Sequence, residues 1–139
     1  MTSEQKKSKT MNIILWIAQA VLAISLIWAS TLKLFLPADK LAEMWPWTAN
    51  NTSLVKLTGI LDLLAGIGLV LPALLRIKLK LTIYAAYGII ALMLAASIFH
   101  ITRGEASQIS VNIFFAVIAV FIAWGRQKKA PVEPTPPTV

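Results

Sequence analysis

Four residues of this chain could do chemistry in an apolar setting: Lys33, Asp62, His100 and Asn112. Asp62 stands in "GILDLLAGIGLVLP", a stretch that is otherwise almost pure hydrocarbon. A charge near the middle of a membrane costs about 2.5–3.5 kcal/mol on insertion scales, so it needs a partner or a task. Lys33 offers the opposite charge, and an Asp62–Lys33 ion pair is expected. His100 can hydrogen-bond to either group, and Asn112 brings both a donor and an acceptor. Ser30, Thr58, Gln108 and Trp45 form the expected periphery of this cluster.

The elements that must position these residues follow from composition. Of 139 residues, 58% are hydrophobic and only 14% charged, with mean hydropathy +0.74. A domain this small has much surface for its volume. So few polar residues cannot cover it, and the solvent is expected to be lipid. Apolar runs over 11–36, 53–75, 79–101 and 106–125 each hold about 20 residues or more, enough to cross a hydrocarbon core about 30 Å thick. They lack period-two alternation, so all four are predicted helices. The expected fold class is all-α: a four-helix transmembrane bundle with a short interfacial helix between spans one and two. Residues 1–10 form a basic N-terminal tail, 11–126 the membrane domain, and 127–139 a Pro-rich tail without apolar periodicity, expected to be disordered.

Charge sets the orientation. Lys6, Lys7 and Lys9 precede span one, Arg76, Lys78 and Lys80 join spans two and three, and Arg126, Lys128 and Lys129 follow span four. The opposite connectors hold little beyond Lys40, Lys56 and Arg103. Basic residues gather on the cytoplasmic side, so both termini are expected inside. The first apolar run is too long for a cleaved signal peptide and is read as a retained span. The net charge of +7 is accounted for by these span ends, and no nucleic-acid partner is expected.

The outer connector "PADKLAEMWPWTANN" is the longest. Pro37 suits the first turn of a short helix, with Leu41, Met44 and Trp45 on one face before Pro46 stops it. Trp45 and Trp47 suit the headgroup level, so this helix is expected to anchor at the membrane surface, with a lid as the alternative.

Asp62 falls about nine residues, or roughly 14 Å, below the outer boundary of span two. Side chains tilt toward a helix's N-terminus. Lys33 and His100 on the outgoing spans therefore lean down, while Asp62 and Asn112 on the returning spans lean up. All four converge on one depth. Gln19, Ala23, Leu26, Ser30 and Lys33 make one stripe of span one, and Gly59, Asp62 and Gly66 share a face of span two. Ala96 lies one turn before His100, and Gln108, Asn112, Ala116 and Ala119 align on span four. A bundle turns these stripes inward together. Each polar residue also has a plainer use: interhelical hydrogen bonding for Asn112, snorkelling for Lys33, capping of its span for His100.

Cysteine is absent and histidine occurs once. Thiol exchange, thiolate metal sites and bis-histidine haem ligation are thereby excluded as functions of this chain alone. No intrinsic cofactor, no metal and no catalytic residue are expected, since neither an activated nucleophile nor a metal-ligand set is present. An enzymatic role is expected at most as a subunit of an oxidoreductase.

Together, "ASTLKLFLP" closing span one, "GILDLLAGIGLVLP" in span two, "FHITRGE" ending span three and "NIFFAVIAVFIAWGR" in span four resemble the DoxX-like membrane protein family over about residues 11–126. Many relatives carry Glu in span two where this chain has Asp62, which keeps the charge and shortens the reach. The resemblance implies a four-helix integral membrane bundle but no single function. The family takes its name from a subunit of a thiosulfate:quinone oxidoreductase, other members associate with redox systems, and animal relatives act as assembly chaperones for receptor channels. Carried over residue by residue, its polar positions are Lys33, Asp62, His100, Asn112 and Arg126.

Two readings follow. In the first, an accessory component of a membrane redox system in a bacterial inner membrane binds a quinone or lipid in a polar pocket of the outer half. In the second, an assembly chaperone or scaffold holds a membrane-protein partner, or a second copy, and the polar cluster is purely structural. A transporter is a weaker third reading, because no broken helix pair is visible.

Overall fold

The computed structural model describes residues 2–134. Helix α1 spans Ser3–Phe35, α2 Ala38–Met44, α3 Thr52–Leu75, α4 Lys80–Thr102 and α5 Ile109–Lys128, with single 3₁₀ turns at Pro46–Thr48 and Ala106–Gln108. The fold is all-α. Four of the helices are long and apolar enough to cross a membrane, and α2 lies between the first and second of them.

The helix bounds have local causes. α1 begins eight residues before the predicted span because Thr2 and Gln5 form a capping box: Gln5 N–H donates to Thr2 Oγ1 at 3.1 Å, and Thr2 N–H to Gln5 Oε1 at 2.7 Å. Its length, roughly 50 Å, exceeds a hydrocarbon core, so the lysine-bearing turns extend past the bundle. Pro37 ends α1, since the residue before a proline is pushed out of helical geometry. Proline occupies the N-cap of α2, one position earlier than predicted. Pro46 does not simply stop that helix but opens the 3₁₀ turn. α4 closes on Gly104 (φ 73°), where Gly104 N–H donates to Ile101 O and Glu105 N–H to His100 O. This glycine-dependent reversal folds Glu105 back toward the end of α4.

The long helices alternate in direction and pack in a ring, α1 on α3, α3 on α4, α4 on α5 and α5 on α1. Short connections enforce this neighbour order. Leu22, Leu26, Leu69, Ile89 and Ile122 fill the core, while Ile24, Leu64, Ile98 and Val117 point outward and are exposed. A body as apolar outside as inside has lipid as its natural solvent.

The predicted C-terminal tail divides. Gln127 and Lys128 continue α5, and residues 130–134 cross the end of the bundle, where Arg76 donates to the carbonyls of Glu133 (2.7 Å) and Pro134 (3.2 Å). The remainder of the tail, 135–139, lies outside the described residues.

Candidate functional site

At the α2 end of the bundle, a cavity of about 510 Å³ opens among the four long helices. Its walls are mostly apolar, from Leu26 of α1, Leu57 and Leu61 of α3, Leu92 and Met93 of α4, and Val111 and Phe115 of α5. Lys33, Asp62, His100 and Asn112, one from each long helix, all line it.

Lys33 comes from the last turn of α1, and its Nζ donates to Asp62 Oδ2 at 2.7 Å. Asp62 is only 2% exposed. The pair can form because Gly59, one turn above Asp62, lets α1 and α3 approach closely: a Cβ there would sit 3.0 Å from Lys33 Cβ. The ammonium also lies over the Trp47 ring, 5.6 Å from its centroid, a cation–π distance. It turns inward rather than snorkelling.

His100 is 7% exposed and stands in an aromatic corner, with ring centroids 5.3 Å from Phe99 and 6.0 Å from Trp47. Its Nδ1 lies 3.5 Å from Glu105 Oε1. That oxygen is better engaged by Arg103 Nε at 2.7 Å, whose hydrogen bond holds the Glu105 carboxyl below the usual carboxylate range. At 3.5 Å the imidazole gains little, and Nδ1 is buried without a hydrogen-bond partner. Asn112 Nδ2 is likewise buried and unpartnered, so this amide does not serve as interhelical glue through its donor. Burying a polar group with no partner costs about 1–3 kcal/mol. Both residues line the same cavity.

The connector contributes more than anchoring. Both of its indoles turn onto the bundle: Trp45 lies edge-on to Trp28 at 6.0 Å, and Trp47 meets Phe99 at 5.9 Å. Both line the cavity. Asn51 Nδ2 donates to Trp47 O at 2.7 Å and Thr48 Oγ1 to Trp45 O at 2.8 Å, bracing the 3₁₀ turn that carries them. The turn after the connecting helix thus contributes to the cavity wall, because Pro46 redirects the chain inward. Sequence reasoning placed Trp47 at the headgroup level and missed its contact with Lys33; the Pro-Trp-Thr turn was the available sign.

The peripheral residues separate. Thr58, Gln108 and Trp45 line the cavity. Ser30 does not, and its hydroxyl is spent on the carbonyl of Ile27 at 2.7 Å. Arg126 lies far from the cluster, at the opposite end of the bundle. There, 4% exposed, it donates through Nε to Gln19 Oε1 (2.6 Å) and through Nη1 to Asn12 Oδ1 (2.6 Å) and Ala130 O (2.8 Å). Gln19 passes the connection to α3 through Leu69 O at 2.6 Å. This second polar network joins three helices, and Asn12 was not foreseen in it.

Among the described residues no group of His, Cys, Asp and Glu side chains is arranged to hold a metal ion. No curated protein and no solved structure matches the chain. The pattern of the DoxX-like family does match, over residues 17–122, which takes in the walls of the cavity, its ion pair and most of all four long helices. On that match the chain belongs to the DoxX-like family.

Proposed function

We propose that this protein is an accessory component of a membrane redox system that holds a small lipophilic molecule with carbonyl acceptors, quinone-like in chemistry, in the cavity at the α2 end of the bundle. One observation carries the reading: a ligand-sized apolar chamber with an ammonium on its wall and two buried, unpartnered polar nitrogens, His100 Nδ1 and Asn112 Nδ2. Lys33 and Asn112 donate to ligand oxygens, and His100 does so in the tautomer or charge state that protonates Nδ1. Asp62 holds the ammonium in place through the 2.7 Å hydrogen bond. Basic residues at the end bearing both termini favour a cytoplasmic position for that end. The cavity then faces the outer leaflet.

The scaffold reading fits less well. A purely structural cluster leaves the chamber that it lines without a task.

Protein purified in lipid nanodiscs is extracted with organic solvent for mass spectrometry, then titrated with a tailless benzoquinone while tryptophan fluorescence is followed. Trp45 and Trp47 in the wall give the signal. The reading expects a co-purifying lipophile and saturable quenching that Asn112→Leu weakens about tenfold. No extractable lipophile and only linear, collisional quenching overturn it.

A further inference from the structure

The chamber has a side opening whose position follows from the packing of α3 against α4. Residues seven apart share nearly one helix face. On α3 this puts Leu54, Leu61 and Gly68 in one row, and on α4 Phe99, Leu92 and Ala85 in the facing row. The rows meet tightly at the end nearer the termini, where a Cβ on Gly68 would lie 3.0 Å from the Ala85 Cβ. One and two heptads closer to α2, Leu61 and Leu54 remain 40% and 36% exposed, and both line the cavity together with Leu92 and Phe99. The α3–α4 seam is thus a wedge: shut at Gly68, open above it, and continuous with the chamber that holds the polar groups. Ala95, exposed yet lining the same cavity, marks its mouth on the lipid-facing side.

We infer that the ligand is a tailed amphiphile that enters sideways from the bilayer, its carbonyl-bearing head received by Lys33, His100 and Asn112 and its single hydrocarbon tail lying in the α3–α4 wedge. The inference rests on the function proposed above and adds the tail, its place and the route. The wedge is hydrocarbon on both walls, and Trp45 and Trp47 form the chamber's wall toward the connector. A head without a tail leaves the wedge walls to bilayer lipid. A head with a tail also buries apolar surface, a gain that is largest in transfer from water. For a probe already in the bilayer the gain is smaller, arising from fit within the wedge.

The test uses the full chain in nanodiscs and two probes with the same benzoquinone head, one tailless and one with a decyl tail. Concentrations are referred to the lipid phase, so partitioning does not imitate binding. Wild-type protein is expected to bind the decyl probe at least tenfold more tightly. Ala95→Phe, which narrows the mouth without adding a tryptophan, is expected to erase that advantage, so that the affinities of the two probes fall within twofold of each other. Leu61→Phe on the facing wall, where the chamber runs into the wedge, is expected to bring the two probes' affinities together as well if the first variant folds poorly. A photoactivatable diazirine at the tail end is expected to label α3 near Leu61 or α4 near Leu92. Equal affinity of the two probes for wild type, or a tail advantage that survives both variants with labelling elsewhere, overturns the inference and leaves the proposed function standing. Saturable binding of neither probe removes the proposed function and the inference with it.

Discussion

Lys33 Nζ and Asp62 Oδ2 stand 2.7 Å apart across the α1–α3 interface, joined at a depth where Gly59 lets the two helices close. This contact turns two groups that are each unfavourable in lipid into a mutually dependent pair. Removing one partner leaves an uncompensated charge, which is the costly state. Asp62→Asn in the wild-type background is therefore expected to destabilise the protein by about 3–5 kcal/mol. In a Lys33→Met background the same change is expected to cost much less. Thermal or denaturant unfolding of the four proteins in one detergent measures the coupling. Strict additivity would dissolve the pair as an energetic unit.

Close approach of α1 and α3 makes a second demand, at Gly66. A Cβ there would fall 2.8 Å from Ile27 Cγ1 and 3.2 Å from the Ala23 carbonyl, and the backbone atom cannot swing away. Gly66→Ala is expected to cost about 1–3 kcal/mol, the usual range for overpacking. Gly88 on α4 meets nothing within 4 Å, so Gly88→Ala serves as the control. It is expected to be neutral or to stabilise by about 0.5–1 kcal/mol through helix propensity. Melting temperatures in matched micelles separate the two; equal behaviour would contradict the packing described.

The Arg126 network is expected to depend on the guanidinium fork rather than on charge alone. Arg126 donates to Gln19 through Nε and to Asn12 and Ala130 through Nη1, a geometry that one ammonium cannot reproduce. Arg126→Lys should therefore lose about 1–3 kcal/mol despite conserving charge. Proteolysis at the C-terminal segment reports the loss directly, because Ala130 is held by this side chain. Unchanged protease resistance in Arg126→Lys would assign the hold on residues 130–134 to other contacts.

A pH dependence is expected at the corner formed by Arg103, Glu105 and His100. Arg103 lowers the Glu105 pKa from its ordinary 4.5, so the folded state favours the carboxylate more than the unfolded state does. The corner's contribution is complete above the ordinary glutamate value and is lost as pH falls through the lowered one. The stability difference between wild type and Glu105→Gln should thus be constant near neutral pH and shrink below about pH 4.5. A difference that grows on acidification would reverse the assignment.

Much of the architecture was legible in the residues themselves. Lipid as solvent makes four uninterrupted apolar runs into four helices, and the stripe Gln19, Ala23, Leu26 and Ser30 is buried as its spacing required. Helical periodicity also carried the level shared by Lys33, Asp62, His100 and Asn112, since side-chain tilt is a local property. What periodicity cannot express is how far apart neighbouring helices stand. The wedge between α3 and α4, the inward turn of Trp47 and the separate network around Arg126 all depend on contacts between segments distant along the chain.

The sequence by itself determined which solvent the protein needs, how many helices it forms and which faces carry polar groups, because these follow from composition and from 3.6 residues per turn. Only the tertiary structure decided which of those groups find partners. Ser30 and Asn112 are both small polar residues on inward faces. One is satisfied by its own helix and the other is left open toward a chamber. The difference lies in how far adjacent helices splay at that height, a property of the packed bundle that no single segment encodes.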